Sequence, residues 1–358
     1  MSSHFLQLQV ETIIKETSDS IAIYFRDSEN QIPSFWPGQF LTLVLEIEGK
    51  SVRRSYSICT SPSALPVIGI AVKRVPGGLV SNYLLDNIRE GDKVSVLEPY
   101  GNFTLNHKRK ELPTLALIGA GSGITPLMSI LKSALENEGS NKVHLFYGNR
   151  NENSIIFKDQ LLRLQEKHGS RLRITHLLSQ PSDSWTGISS RIRSELMMQL
   201  CHNDGLLQDN STNYYICGPE GMMHEVHHML QSNGIDIDRI HKESFYLTHK
   251  SSAVDAAVSN TEEALSSKKV ILKLDGKQHE VEVSNGRYIL ESALEAGLDL
   301  PYACTMGVCG MCRAFKVQGE MIIEEQEAIS DSEIRDGACL TCVGKPISDN
   351  LIIDYDRY

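Results

Sequence analysis

Four cysteines near the C-terminal end of the chain constrain its fold more than any other feature. They are Cys304, Cys309, Cys312 and Cys342. The first three follow the pattern C-x4-C-x2-C within PYACTMGVCGMC, and the fourth follows much later, in ACLTCVG. This spacing binds a [2Fe–2S] cluster through thiolate ligands. Only a loop directs three ligands at one point with such gaps, and Gly307 and Gly310 let the backbone curl around the sulfurs.

The fourth ligand is ambiguous from spacing alone, because Cys339 and Cys342 form a C-x-x-C pair. The longer interval resembles plant-type ferredoxins more closely, and this resemblance assigns Cys342 as the ligand and Cys339 as a neighbour. A cluster of this kind carries one electron at a time, so the rest of the chain is expected to supply the electrons.

Length and composition exclude several classes of protein. A chain of 358 residues is expected to form two or three domains. The formal net charge of −10 argues against a nucleic-acid partner, which needs a basic face. The N-terminus has neither a basic nor an apolar signal region, and no apolar run is long enough for membrane insertion. Eight cysteines without an export signal predict a cytoplasmic location.

The first two thirds of the chain change pattern near residue 110. Residues 1–108 contain short strands at 20–25, 40–47 and 67–72, separated by Pro-Gly and Gly-rich turns, which predicts an antiparallel β-barrel. Residues 112–246 alternate apolar strands with helices and predict a parallel α/β domain. Its strands are expected at 115–118, 143–147, 172–178 and 214–217.

The remainder is predicted to be a linker and a third domain. Residues 247–267 are rich in Ser and Ala and lack apolar periodicity, which is typical of a linker. Residues 268–358 carry the four cysteines. Two alternating strands, 270–274 and 279–283, flank Asp275 and Gly276, which is the usual signal of a hairpin turn.

A glycine-rich turn follows the strand at 115–118 and reads GAGSGITP. Gly119, Gly121 and Gly123 would let the backbone approach a pyrophosphate, and the next helix would present its N-terminus to the negative charge. Thr125 is expected as the N-cap and Pro126 as the first helical residue. The sequence therefore predicts a dinucleotide site here.

The last strand of the α/β domain ends in CGPEGM. Cys217, Gly218 and Pro219 would lie at the carboxyl edge of the sheet, where open α/β folds bind ligands. Taken alone, Cys217 is better interpreted as a small buried apolar residue than as a ligand-binding one.

Two segments of the first domain suggest a flavin site, RRSYSICTSP and AVKRVPGGLVSNYL. Arg54 and Tyr56 alternate along a strand and share one face, where arginine can bind a phosphate and tyrosine can pack on a flat ring. Gly77, Gly78 and Ser81 would offer hydrogen-bond donors to a pyrophosphate. From these residues alone, a basic strand followed by a turn is the alternative.

The four motifs R-S-Y-S, G-G-x-x-S, G-x-G-x-G-x-T-P and C-G-P, in this order, resemble the ferredoxin–NADP⁺ reductase superfamily. The domain order is most similar to oxygenase reductases with a C-terminal cluster, such as those of phenylacetyl-CoA epoxidase and 3-ketosteroid hydroxylase. The resemblance implies a multidomain fold, with an antiparallel β-barrel flavin domain, a parallel-sheet nicotinamide domain and an α+β (β-grasp) ferredoxin domain.

The same resemblance implies an NAD(P)H-dependent oxidoreductase that passes electrons through FAD and the [2Fe–2S] cluster to a terminal oxygenase, with phenylacetyl-CoA epoxidase as the expected acceptor. Other acceptor proteins, namely a desaturase, a ketosteroid hydroxylase or a hybrid-cluster protein, are alternatives. A redox sensor or electron carrier without hydride chemistry is a further one. FAD is favoured over FMN because the paired glycines before Ser81 resemble the FAD-type members.

Roles for individual residues also follow from the resemblance. Arg54 would contact the flavin phosphate, Tyr56 would stack on the isoalloxazine, and Gly78 and Ser81 would hold the pyrophosphate. Ser57, Cys217 and Glu243 are the predicted catalytic residues. Ser57 would lie near the flavin N5 and Cys217 beside the nicotinamide, and Glu243 would lie by the flavin together with Phe245.

The choice of nucleotide depends on the tip of the second α/β strand, which reads YGNRNEN. An acidic residue there favours NADH, and an arginine favours the 2′-phosphate of NADPH. Because Arg150 precedes Glu152, the sequence predicts NADPH as the preferred donor and NADH as the alternative.

Overall fold

Alternating apolar and polar residues build the first sheet of the chain. In the computed structural model, which describes residues 5–108, 111–139, 141–245, 267–305, 307, 309–324 and 328–357, the three apolar residues of LQLQV are buried and its two glutamines are exposed. The elements are β1 (Leu6–Thr17), β2 (Ser20–Arg26), β3 (Phe40–Ile47), β4 (Lys50–Ser57), β5 (Val67–Lys73), α1 (Leu79–Asn87) and β6 (Lys93–Tyr100). The strand order is β4-β3-β6-β1-β2-β5, and all pairs are antiparallel. A bridge between Ile58 and Ile70 joins the two ends, as the predicted barrel requires.

The second sheet has apolar strands at its centre, such as LALIGA, because helices cover both faces there. The strands are β7 (Leu115–Ala120), β8 (Val143–Asn149), β9 (Leu172–Leu178), β10 (Ile188–Ser189), β11 (Asn213–Cys217) and β12 (Ile240–Glu243). The helices are α2 (Ile124–Glu136), α3 (Lys158–His168), α4 (Ser194–Asn203) and α5 (Glu220–Ser232). All pairs are parallel and the order is β10-β9-β8-β7-β11-β12, which confirms the predicted α/β domain.

The strand order reverses between β7 and β11, and this switch point positions the site. The next three strands of the chain, β8, β9 and β10, lie on one side of β7, whereas β11 and β12 lie on the other side. In open parallel sheets, ligands bind at the carboxyl ends of the strands at such a reversal. The glycine-rich turn follows β7 and the C-G-P motif ends β11, so the two predicted nucleotide motifs meet there.

One apolar cluster is shared by the barrel and the α/β sheet. It combines barrel residues such as Cys59 and Phe103 with α2, α3 and one face of the parallel sheet. Polar contacts reinforce this packing, because Lys132 Nζ donates to the Cys59 carbonyl at 2.8 Å and the Phe157 N–H donates to Glu16 Oε2 at 2.8 Å. Residues 5–245 accordingly form one compact unit, and side chains from both sheets can contribute to one site.

The remaining described residues form a second compact unit around a mixed sheet. Its elements are β13 (Lys268–Leu274), β14 (Lys277–Val283), α6 (Ile289–Glu295), β15 (Arg313–Gln318), β16 (Met321–Ile323), α7 (Asp331–Arg335), β17 (Ala338–Leu340), β18 (Gly344–Pro346) and β19 (Leu351–Asp354). The order is β14-β13-β19-β15-β17, with β13 and β19 parallel, and β16 pairs with β18. Asp275 and Gly276 both have positive φ angles, as a hairpin turn of this type requires. The α+β ferredoxin fold is confirmed.

Two predictions about organisation stay predictions. All but the last residue of the predicted linker, 247–267, lies outside the described residues, and the exact domain boundaries are not tested by the fold. Among the helices of the described ranges, none is both long enough and apolar enough to cross a membrane.

Candidate functional site

The glycine-rich turn after β7 starts α2 earlier than the sequence suggested. A short 3-10 turn, Gly121–Gly123, leads into α2, and Gly123 occupies the N-cap position. The predicted N-cap at Thr125 and first helical residue at Pro126 are therefore wrong, because these are the second and third residues of the helix. Thr125 Oγ1 instead donates to the Ser122 carbonyl at 2.8 Å. Pro126 fits at this position because first-turn N–H groups have no partner within the helix.

The three glycines of this turn have different physical roles. A Cβ on Gly123 would lie 2.1 Å from the Cys217 carbonyl oxygen, and one on Gly119 would lie 2.6 Å from Leu127 Cδ1. Gly121 has φ +56°, and a Cβ there would meet nothing within 4 Å. Gly119 and Gly123 thus allow close packing of neighbouring groups, whereas Gly121 allows a positive φ angle next to open space. This arrangement fits a pyrophosphate that approaches the backbone.

Cys217 is the last residue of β11 and lies at the switch point, with β7 on one side and β12 on the other. It is fully buried, and its register neighbours are Gly119 on β7 and Glu243 on β12. Burial raises the pKa of the Cys217 thiol well above its usual value, so the thiol stays protonated. Gly218 and Pro219 turn the chain into α5, and Pro219 is the N-cap residue.

Ser57, at the end of β4 in the barrel, reaches Glu243 in the parallel sheet. Ser57 Oγ donates to Glu243 Oε1 at 3.4 Å, although the two residues are 186 positions apart. Glu243 Oε2 is buried and has no hydrogen-bond partner among the described residues. Burial raises the pKa of Glu243 to about 8, so at neutral pH the group is mainly a neutral acid. Phe245 packs against the apolar cluster shared by the two sheets.

The structure thus brings the three predicted catalytic side chains together where the barrel meets the carboxyl edge of the parallel sheet. A buried carboxyl oxygen without a partner fits a ligand that supplies a polar group, as the edge of an isoalloxazine ring would. The roles of Ser57, Cys217 and Glu243 remain predictions.

Most of the predicted flavin-binding residues lie on β4, on the turn before α1 and in the first turn of α1. Arg54 and Tyr56 pair with Leu43 and Leu41 of β3, and Tyr56 packs against the apolar core of the barrel. Ser81 Oγ accepts a hydrogen bond from the Val75 N–H at 3.1 Å, which braces the turn and leaves the hydroxyl hydrogen for another acceptor.

The glycines of this turn suit a phosphate that approaches its backbone. Gly77 has φ +71°, and a Cβ there would meet nothing within 4 Å. Gly78 is the N-cap residue of α1. The turn therefore has room for the pyrophosphate that the sequence predicts.

The four cysteines of the ferredoxin signature converge in the second unit. The Cys309 thiol contacts that of Cys304, and the Cys342 thiol contacts those of Cys304 and Cys312. The Gly307 N–H also donates to Cys342 Sγ at 3.3 Å. In the described part of the chain no group of three or more ligating side chains suits a single ion. A two-iron cluster has different needs, because its four cysteines are shared between two irons.

Cys339 points elsewhere. Its Sγ donates to the Ala314 carbonyl at 3.4 Å, within the pairing of β15 and β17. The structure therefore places Cys342, and not Cys339, among the other thiols, although the ligand roles themselves stay predictions.

A pair of hydroxyl groups behind the cysteines was missed by the sequence analysis. Thr341 Oγ1 lies 2.6 Å from Tyr355 Oη and donates to the Cys312 carbonyl at 3.2 Å, and all three residues are buried. Thr341 precedes Cys342 and could have been suspected from that position. Tyr355 had no such signal, because only the fold brings this residue, which follows β19, close to Thr341.

At the tip of β8, the arginine and the acidic residue have different environments. Arg150 is exposed, and its backbone carbonyl accepts a hydrogen bond from the Gln180 N–H at 2.7 Å. The carboxylate of Glu152 accepts hydrogen bonds from the Ser182 hydroxyl at 2.5 Å and from its N–H at 3.1 Å. These bonds lower the pKa of Glu152 and tie its carboxylate to the loop after β9.

Three family models match the chain in the expected order. An oxidoreductase FAD-binding domain matches residues 7–105, an oxidoreductase NAD-binding domain matches 117–228, and a 2Fe-2S iron-sulfur cluster binding domain matches 272–346. These matches support a flavin, a pyridine nucleotide and an iron–sulfur cluster as the cofactors.

Known proteins of similar length align with the whole chain. The ferredoxin reductase component of 3-ketosteroid-9-alpha-monooxygenase from Mycolicibacterium smegmatis is 33% identical, over 100% of this chain and 99% of that protein. One of the subunits of 1,2-phenylacetyl-CoA epoxidase from Escherichia coli is 32% identical, over 98% of each. Among solved structures, phthalate dioxygenase reductase, described as a modular structure for electron transfer from pyridine nucleotides to [2Fe–2S], aligns with a TM-score of 0.63 at 26% identity, over 98% of both chains.

Proposed function

The chain belongs to the ferredoxin–NADP⁺ reductase-like reductases with a fused C-terminal [2Fe–2S] ferredoxin domain, and from this premise we propose that it oxidises NADPH and reduces the oxygenase component of a phenylacetyl-CoA epoxidase. As an NAD(P)H-dependent oxidoreductase it needs a flavin, because nicotinamide delivers two electrons at once and the cluster accepts one. The observation that best supports the proposal is the convergence of Ser57, Cys217 and Glu243 from two sheets.

The side chains at this point have complementary tasks in the proposed reaction. Cys217 is a small, neutral and fully buried thiol at the switch point, beside the glycine-rich turn on which the nucleotide would bind. Glu243 is held mainly neutral by burial and has one carboxyl oxygen free to bond a polar edge. Ser57 fixes the other oxygen of that carboxyl group. The three would orient the two rings and exclude water between them.

The basic test is an anaerobic titration of the purified protein with NADPH, repeated with NADH and followed by visible spectroscopy. Bleaching of both the flavin and the cluster bands is expected, since electrons should reach the cluster through the flavin. A protein without a flavin band, or one that neither nucleotide bleaches, would restore the alternative of an electron carrier or sensor without hydride chemistry.

The preference for NADPH is supported by the environments of Arg150 and Glu152. Arg150 is exposed at the strand tip where an adenosine ribose is expected, and arginine suits a 2′-phosphate. The carboxylate of Glu152 already accepts hydrogen bonds from Ser182, which would compete with the ribose hydroxyls of NADH. We expect Arg150→Ala to raise the NADPH KM about tenfold or more, with little effect on the NADH KM.

Steady-state kinetics with ferricyanide as acceptor measure both KM values. Glu152→Gln is the matched control, because it changes the neighbouring acidic group and should keep the preference for NADPH. Equal rises of both KM values in Arg150→Ala, or a loss of NADH affinity in Glu152→Gln, would contradict the assignment.

The proposed acceptor is tested by reconstitution. The Escherichia coli epoxidase protein supports it with 32% identity over 98% of both chains, and the ketosteroid reductase component, at 33%, supports a ketosteroid oxygenase as the second candidate. The reduced protein is mixed in turn with the purified oxygenase components of the two systems. We expect product formation only with the phenylacetyl-CoA epoxidase component, or at a rate at least tenfold higher than with the ketosteroid component. A higher rate with the ketosteroid component would instead assign the protein to the steroid system.

A further inference from the structure

Tyr147 on β8 connects the core of the α/β domain to the glycine-rich turn. The side chain is fully buried, and its ring lies 5.9 Å from the ring of His176 on the neighbouring strand. Its hydroxyl donates to the carbonyl oxygen of Gly121 at 3.0 Å. Burial raises the pKa of Tyr147, so the hydroxyl keeps the proton that it donates to this carbonyl.

This hydrogen bond, together with one that the Gly121 carbonyl accepts from the Ile124 N–H, holds one peptide unit of the turn in its orientation. In a planar trans peptide, the carbonyl of one residue and the N–H of the next point in opposite directions. With the Gly121 carbonyl held toward Tyr147, the Ser122 N–H must point away from the core. The Gly121 conformation, φ +56° with nothing near a would-be Cβ, leaves open space beside this turn.

We propose that Tyr147 is a positioning residue for the nicotinamide dinucleotide, because its hydroxyl orients the Gly121–Ser122 peptide so that the Ser122 N–H faces the pyrophosphate. The inference rests on the proposed nucleotide site and adds a residue that no motif identified. Tyr147 itself touches only the protein, since it is completely covered.

A purely structural role would have a different consequence. The Gly121 carbonyl also accepts a hydrogen bond from the Ile124 N–H, so removal of the tyrosine hydroxyl does not leave this oxygen unpartnered. The loss should therefore affect the orientation of the peptide more than the stability of the domain. Tyr214 offers a matched control, because it is also fully buried on a strand of the same sheet and donates to the Leu206 carbonyl at 2.8 Å.

The test compares Tyr147→Phe with Tyr214→Phe in the complete protein loaded with its cofactors. We expect Tyr147→Phe to raise the KM for NADPH and the Kd for NADP⁺ by about three- to tenfold, with kcat within twofold of the wild type. The KM for NADH should rise by the same factor, because both nucleotides contain the pyrophosphate. The KM for reduced nicotinamide mononucleotide, which lacks it, should not change. Tyr214→Phe should leave all these constants at their wild-type values.

The Kd for NADP⁺ is measured by difference spectroscopy, and melting temperatures are recorded for both variants. Tyr147→Met, which fills similar apolar space without a hydroxyl, is made in parallel in case the first variant folds poorly. Equal nucleotide constants in Tyr147→Phe and Tyr214→Phe would overturn the inference, as would an effect on the mononucleotide. If the wild type oxidised no NADPH, the proposed function would fail first, so the two failures are distinguishable.

Discussion

Replacement of Gly123 by alanine tests whether the activity depends on close packing between the glycine-rich turn and the C-G-P motif. The new Cβ would lie 2.1 Å from the Cys217 carbonyl oxygen and 2.5 Å from its carbon, whereas real Cβ contacts essentially never fall below 3.0 Å. The start of α2 and the tip of β11 must therefore separate by about 0.9 Å or more. Both partners are backbone, so no side-chain rotation relieves the overlap.

The separation should reduce the rate of flavin reduction more than any other property. Cys217 and its register neighbour Glu243 would move together relative to Ser57, which lies on the other sheet. A displacement of about 1 Å can lower the rate of a positioned reaction on the order of a hundredfold. We expect Gly123→Ala to show such a decrease in the anaerobic stopped-flow bleaching of the flavin by NADPH, together with a lower melting temperature.

Gly221→Ala is the control for this substitution. Gly221 lies in the first turn of α5, two residues after Pro219 of the C-G-P motif, and a Cβ there would meet nothing within 4 Å. Alanine stabilises a helix more than glycine does, so this variant should keep the wild-type rate and an equal or higher melting temperature. A Gly123→Ala protein that reduces its flavin within threefold of the wild type, with an unchanged melting temperature, would refute the reasoning.

Two further predictions concern the acid and the cluster cysteines. Because burial raises the pKa of Glu243 from 4.5 to about 8, the folded state binds this proton more tightly than the unfolded state does. Stability from this group is therefore full below pH 4.5 and is lost as the pH rises through 8. Between pH 5 and 8, the unfolding free energy of the wild type should fall by up to about 3 kcal/mol because of this group, and the Glu243→Gln variant should lack this fall. An unchanged pH dependence of unfolding in the variant would contradict the assignment. Cys342→Ser should abolish the cluster absorption and lower the iron content, whereas Cys339→Ser should retain both, and the opposite result would exchange their roles.

Local patterns were sufficient to predict most of the fold. The strands at Phe40–Ile47 and Leu172–Leu178 have the predicted bounds, because both are rich in strand-forming residues and end where the local pattern changes. The hairpin at Asp275 was predicted for the same reason, since two adjacent residues specify its turn. Each of these features depends on residues that are close together in the chain.

The predicted start of α2 was wrong because a contact with a distant strand overrode the local sequence signal. Thr125 followed by Pro126 is typical of a helix start. Gly121 and Gly123 instead form a 3-10 turn, which the close approach to Cys217 requires. The competing contact comes from β11, so no window of sequence around the turn contains it.

The hydrogen bond between Ser57 and Glu243 could not be predicted from either segment. It joins the end of a barrel strand to the edge strand of the parallel sheet, 186 positions later. Only the family resemblance suggested that both residues approach a flavin. Their direct contact, and the elevated pKa that follows from burial, required the structure.

Helix α2 explains how the two halves of the site stay in register. At its start, Gly123 packs against the backbone of Cys217 on the nicotinamide side. Nine residues further along, Lys132 Nζ donates to the carbonyl of Cys59, which follows Ser57 by two residues on the flavin side. At 1.5 Å per residue, the two contacts lie about 14 Å apart along one rigid element. The helix that begins at the glycine-rich turn therefore also holds the chain just after β4, so helix geometry helps to set the position of Ser57 relative to Cys217.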